Sequence, residues 1–241
     1  METVIYEKRN GVAFVTLNRP QVLNAYNVQM RDELYQVLGA IRDDPEVGAA
    51  IFKGAGEKAF CAGADLSEFL TAPSPTIARQ IRWERDVWGL FLSLPQPLIA
   101  ALHGYVLGSG IEIALCCDIR IASDDARFGL PEVALGIIPA AGATQTLPRI
   151  AGRAAALEMM LTGRRISARE ALDMGLINRV TAKAELLPAA EEMAGKIASF
   201  APTAVRAVKE AVIRGMDVTL AEGLELEKRL ASSLRQSNQR T

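Results

Sequence analysis

Short apolar runs and longer amphipathic stretches alternate along the chain. Val4 to Tyr6 and Val12 to Leu17 are β-rich runs joined through Asn10-Gly11, the dipeptide that most readily takes the positive backbone angles of a tight turn, so an opening β-hairpin is expected. The period then changes. Met30, Leu34, Val37, Leu38 and Ile41 fall at i, i+4, i+7, i+8 and i+11, the apolar face of a helix with Asn27 placed to cap it and Asp44-Pro45 to end it. Ala49 to Phe52 reads as a buried strand that runs into the glycine-rich loop GAGEKAFCAGADL. The Pro-interrupted stretch TAPSPT after it predicts a mobile loop.

Residues 76 to 93 read as a helix and Leu98 to Leu102 as a second buried strand. HGYVLGSG follows as another glycine-rich turn, opening a helix at about Gly110. Ile119 to Ala122 makes a third strand, followed by the long small-residue connection ARFGLPEVALGIIPAAGATQTLPR. Alternation of short apolar strands with helices indicates an α/β core with parallel strands. From residue 151 onward the pattern is almost wholly helical, with Ser167 and Thr203 as expected N-caps and a long last helix carrying Leu220, Leu224 and Leu230. That stripe needs a partner surface, the chain's own core or a neighbouring subunit.

Composition narrows the class. With 241 residues, 50% of them hydrophobic and 23% charged, the chain is long enough for a substantial core and is of ordinary globular type. The 27 Lys and Arg nearly cancel the 28 Asp and Glu, so no overall field favours nucleic acid or an anionic membrane. Three cysteines without C-x-x-C spacing fit a reducing compartment, and METVIYEKRNG has neither the basic nor the apolar region of a signal peptide. A cytoplasmic protein, or the mature form of an organellar matrix protein, is expected. The most apolar stretch, 90 to 117, is interrupted by Pro95, Gln96, Pro97, His103 and Glu112, too often for a membrane span.

The single histidine, His103, leaves no imidazole cluster for a metal and no histidine pair for acid–base work, so no metal site is expected. Ser109 lacks the G-x-S-x-G elbow, because Leu107 and Ile111 stand at the flanking glycine positions. The dinucleotide fingerprint fails as well, with Ile113 in place of the third glycine after Gly108-Ser109-Gly110. Arg79, Arg82 and Arg85 read as a solvated helix side, and Cys116-Cys117 as core packing.

What remains is two glycine-rich turns and two embedded glutamates. In AFCAGAD small residues let a ligand approach the backbone, and LGSGIE leads into a helix N-terminus, where free N–H groups and the macrodipole favour a negative oxygen. Glu112 stands in the first turn of that helix within the apolar run IEIALCC, and Glu132 follows Pro131 in FGLPEVALG. Either glutamate alone reads as a helix-terminal carboxylate. Both together, beside two N–H-rich turns, supply what enolate chemistry needs: donors for an oxygen and an acid or base for a carbon.

The segments AFCAGADL, HGYVLGSGIEIALCCDIRIAS, ARFGLPEVALGIIPAAGATQTLPRIAG, LTGRRISAREALDMGLINRV and VTLNRPQVLNA resemble the enoyl-CoA hydratase/isomerase (crotonase) superfamily from about residue 4 to residue 230. The resemblance implies a crotonase-like spiral of ββα units over 1–195 and a helical C-terminal trimerisation region over 196–241. It also implies an acyl-CoA thioester substrate, no cofactor beyond the coenzyme A it carries, and a homotrimer or hexamer. By the same resemblance the oxyanion donors are the backbone N–H groups of Ala62 and Ser109, and Ala62, Gly63, Ala64, Asp65, Leu66 and Gly108 line the substrate. Glu112 is implied as the ionised base on water and Glu132 as the proton donor to the α-carbon, the pattern of the hydratase branch. An enoyl-CoA isomerase on the same fold and a non-catalytic or RNA-associated crotonase-like protein are the alternatives.

Two departures stand out. Ser109 replaces a glycine common in the family, which changes pocket shape but keeps the backbone donor. The sequence ends at ASSLRQSNQRT, where the family usually continues with a basic, aromatic-containing tail, so a more exposed CoA nucleotide is expected.

Overall fold

The computed structural model describes residues 1–71 and 84–238. The expected TAPSPT loop beyond Thr71, most of the helix expected over 76–93, and the arginines at 79 and 82 lie outside the described residues. Asn10 (φ 51°) and Gly11 (φ 73°) turn β1 (Val4–Arg9) onto β2 (Val12–Leu17) as an antiparallel hairpin. Helix α1 (Val28–Asp43) begins where the Asn27 side chain accepts the Met30 N–H at 2.9 Å, and it buries Met30, Leu34, Val37, Leu38 and Ile41.

The main sheet continues through β3 (Ala49–Gly54), β5 (Leu98–Leu102), β7 (Ile119–Ser123) and β10 (Arg179–Thr181), each parallel to its neighbour from β2 onward. A second sheet holds β4 (Ala59–Cys61), β6 (Tyr105–Leu107), β8 (Arg127–Gly129) and β9 (Ile166–Ser167). The chain thus leaves the main sheet for the second one three times, in β3–β4, β5–β6 and β7–β8, and this repetition builds the spiral. Helices α2 (Val87–Ser93) and α3 (Ser109–Cys116) follow the first two of these pairs.

Alternation along the strands explains why β2 is buried throughout. Ala13, Val15 and Leu17 join the core formed with α1, whereas Val12 and Phe14 face Leu186, Ala190 and Ala194 of a helix spanning Leu186–Ala198. Before it come α4 (Ala143–Ala151), α5 (Arg153–Thr162) and α6 (Ala168–Asp173), so it is α7; α8 (Pro202–Gly215) and α9 (Leu220–Asn238) end the fold.

Three expectations need adjustment. The expected division at 195/196 falls inside α7, which runs on to Ala198. Two short strands, β9 and β10, interrupt the C-terminal part that read as helical. Thr203 is not an N-cap: α8 starts at Pro202, whose fixed φ suits the first helical position, behind Ala201. Ser167 does cap α6, in a reciprocal capping box with Glu170.

Candidate active site

Two turns meet at the ends of β4 and β6. Gly108 (φ 50°) passes the chain from β6 into α3, and a Cβ there would stand 3.3 Å from the Gly63 Cα and 2.8 Å from Glu132 Oε1. A Cβ on Gly110 would collide with the Cys61 carbonyl oxygen. Glycine at these two positions therefore lets the N-terminus of α3 rest directly on the AFCAGAD loop. Ser109, at the first position of α3, has no acceptor one turn behind it within the helix, so its N–H faces the junction.

The other turn corrects one expectation. Ala62 donates its N–H to the Leu23 carbonyl at 3.0 Å and is already engaged. Tyr26 N–H donates to the Gly63 carbonyl and Asp65 N–H to the Tyr26 carbonyl, both at 2.8 Å, a parallel bridge that pairs Tyr26 with Ala64. Between those two bonds the Ala64 N–H donates to no acceptor among the described residues. Among the described residues the N–H groups of Gly63 and Ala64 have no acceptor, and Ala64, turned away from Tyr26 by the bridge, offers a free donor two residues beyond the expected Ala62.

Both glutamates reach the same junction. Glu112 is 3% exposed, and the backbone N–H groups of Ala141 (2.7 Å) and Ala143 (3.4 Å) donate to its Oε1. These groups sit at the start of α4, so the loop before that helix holds the carboxylate in place. Glu132 lies in a 3-10 turn, Pro131–Leu135, with its Oε2 buried and without a hydrogen-bond partner among the described residues. Burial first, and the nearby charge of Glu112 second, raise its pKa above the ordinary carboxylate range. The pair is therefore asymmetric, one carboxylate fixed by backbone donors and one inclined to keep its proton.

The remaining expected residues divide. Gly63, Ala64 and Gly108 line the junction, whereas Asp65 is occupied in holding the loop. Ser67 donates its hydroxyl to Asp65 at 2.6 Å and Arg19 pairs with it at 2.8 Å, which keeps that carboxyl below its usual range. Leu66 opens a 3-10 turn and is 54% exposed. Sequence reasoning assigned no role to Arg19, Asn24 or Tyr26. Asn24 receives the Arg19 N–H and donates to the Ala55 and Ala59 carbonyls, which fixes the turn that carries Tyr26. His103 is buried, and burial lowers its pKa. Among the described residues no group of three or more His, Cys, Asp or Glu side chains is placed to hold a metal ion, and no helix is long and apolar enough to cross a membrane.

Free N–H donors beside two embedded carboxylates define a site for enolate chemistry on a carbonyl compound. Comparison with known proteins gives the family: the model of the enoyl-CoA hydratase/isomerase family matches residues 7–241, and the chain belongs to it. It is 45% identical over 227 residues to the short-chain-enoyl-CoA hydratase of Clostridium acetobutylicum, covering 94% of this chain and 87% of that one. With the (E)-benzylidenesuccinyl-CoA hydratase of Thauera aromatica it shares 40% identity over 239 residues, 98% of this chain and 92% of the other. The crystal structure of an enoyl-CoA hydratase from Bacillus anthracis superposes with a TM-score of 0.92 at 40% identity, over 97% of this chain and 91% of that one. The expected α/β spiral with a helical C-terminal region is the fold of these structures.

Proposed function

We propose that the chain is an enoyl-CoA hydratase, adding water reversibly across the 2,3 double bond of an enoyl-CoA thioester. The observation that carries this reading is the asymmetric pair Glu112 and Glu132 beside the free N–H groups of Ala64 and Ser109. The thioester oxygen accepts from Ala64 and Ser109. Glu112, ionised, takes a proton from water as the water oxygen bonds to C3, and the π electrons move onto the thioester oxygen as an enolate. Glu132 then gives its proton to C2 as the carbonyl re-forms, leaving a 3-hydroxyacyl-CoA. The proton held by Glu112 passes through solvent and Glu132 is reprotonated, so atoms and charge balance. The chemistry calls on no cofactor beyond the CoA of the substrate, and the buried, unbridged thiols of Cys61, Cys116 and Cys117 suit a reducing cytosol.

The reading extends to assembly. Val208 and Val212 on α8, Met216 just after it, and Leu220 and Leu224 on α9 are 65%, 61%, 74%, 80% and 55% exposed, and exposed apolar side chains gathered in this way mark an interaction surface. A homotrimer or hexamer, with the outer helices after Ala198 at its interface, covers it.

Loss of the conjugated thioester absorbance on adding crotonyl-CoA tests the function. Conversion of a 3-enoyl-CoA with crotonyl-CoA left untouched would make the chain an isomerase instead, and inertness towards all acyl-CoA thioesters with retained RNA binding would make it neither.

A further inference from the structure

Tyr26 has its own backbone bridged to the free donor of the site, through its pairing with Ala64. Its ring rests on Trp88 of α2, centroids 5.6 Å apart, and Trp88 in turn stacks on Phe91 at 6.3 Å. The ring is thus held at both ends of its lever, by the strand-like bridge and by the aromatic row. Its hydroxyl, however, is buried and has no hydrogen-bond partner among the described residues. A buried phenol normally finds one. Burial first, with Glu112 and Asp32 among the charges acting on it, raises its pKa, so at neutral pH it is an uncharged donor.

Two links connect Tyr26 to the proposed site: its backbone is bridged to Ala64, which would hold the thioester oxygen, and its buried, unpartnered phenol feels the charge of Glu112, which would flank C3. We propose that Tyr26 is a specificity-determining residue whose hydroxyl donates to a neutral oxygen on C4 of the acyl chain, making the substrates enoyl-CoA thioesters with a 4-hydroxyl or 4-keto group rather than plain alkyl ones. The assignment rests on the hydratase reading for the placement of C3. Of the charges acting on the phenol the cation, Arg31, is paired with Asp32, and Asp32 and Glu112 oppose it, so a carboxylate at C4 is disfavoured.

Calorimetric binding of saturated analogues separates the two readings, since it needs no turnover. Wild-type protein is expected to bind 4-hydroxybutyryl-CoA about tenfold or more tightly than butyryl-CoA, with succinyl-CoA gaining nothing, and Tyr26→Phe should abolish the preference while leaving butyryl-CoA unchanged. The melting temperature of that variant should stay level or rise, because the hydroxyl has no protein partner to lose. No preference in the wild type, a preference that survives in Tyr26→Phe, equal weakening of both ligands, or tighter binding of succinyl-CoA would each overturn the proposal. If the preference holds but neither crotonyl-CoA nor 4-hydroxycrotonyl-CoA is hydrated, the hydratase reading fails and the hydrogen bond from Tyr26 stands. If crotonyl-CoA is hydrated and no preference is found, the reading stands and the proposal fails.

Discussion

Ala62 gives its backbone N–H to the carbonyl of Leu23 at 3.0 Å, and this bond removes that amide from those the AFCAGAD loop can offer a ligand. Gly63, with φ 108°, breaks the simple alternation of the loop, so Ala62 and Asp65 both face the turn that carries Leu23 and Tyr26, while the parallel bridge turns the Ala64 N–H away from it. Removing the N–H at each position should separate the roles. Ala64→Pro is expected to lower kcat by about 10²–10³, as loss of an oxyanion donor does, with a native circular dichroism spectrum. Ala62→Pro breaks a structural bond instead and should lower the melting temperature. Equal kcat in Ala64→Pro and wild type would exclude Ala64 as a donor.

The two glutamates should fail in different ways. Glu112→Gln and Glu132→Gln are each expected to cost about 10²–10⁴ in turnover, since shape is kept and only proton chemistry is removed. The pH profile distinguishes them. Glu132 must be protonated to act and its pKa is raised, so activity falls as pH climbs through that raised value. Part of the rise comes from the charge of Glu112, so the residual activity of Glu112→Gln should show its alkaline limb at lower pH than wild type. An unmoved limb would mean that a group other than Glu132 controls it.

How far the sequence discloses this site depends on the range of the interactions. The hairpin at Asn10-Gly11, helix α1 behind Asn27 and the capping box of Ser167 are set by residues within a few positions of one another, and all are legible in the chain. Glu112 and Glu132 stand out because carboxylates in apolar runs need a reason. Strands β9 and β10, two and three residues long, exist only through pairing with β8 and β7 and carry no period of their own. The engagement of Ala62 and the bridge from Tyr26 to Ala64 likewise depend on a turn some 40 residues upstream folding back. A motif places the loop there but does not say which of its amides is spent.

Glu33 supplies a stability prediction distant from the chemistry. Its carboxylate accepts the N–H groups of Glu2, Thr3 and Val4 at 2.8–3.0 Å and the Thr3 hydroxyl at 2.9 Å, tying the first strand to α1. Burial opposes its ionisation, but these donors and Gln29 outweigh it and bring the pKa down to about 2. A depressed folded-state value means that the stabilisation is present above the unfolded pKa near 4.5 and is lost as pH falls towards 2. Glu33→Gln should cost about 1–3 kcal/mol at pH 7 and show little further loss over that acid window. Urea melts at pH 7 and pH 3 check both; an identical pH dependence in the two proteins would exclude Glu33 as its source.

The outer helices lead to the last prediction. Lys209 anchors α8 to the core through Asp118 at 2.7 Å and the Gln96 carbonyl at 2.8 Å, yet no side chain of α8 is buried, and among the described side chains of α9 only Leu226 is. Two helices with apolar faces so placed gain little from their own chain. Burying Leu220 and Leu224 against a neighbouring copy returns about 1.5–3 kcal/mol for each fully covered side chain, and every subunit of a closed ring gains the same. Light scattering on the wild type should therefore give a mass three or six times the 25.9 kDa of one chain. The double substitution Leu220→Lys, Leu224→Lys places two charges in that interface and should shift the mass towards one chain while the circular dichroism of the core persists. A wild-type mass of one chain at micromolar concentration would exclude the assembly, and an unchanged mass in the double variant would move the interface away from these leucines.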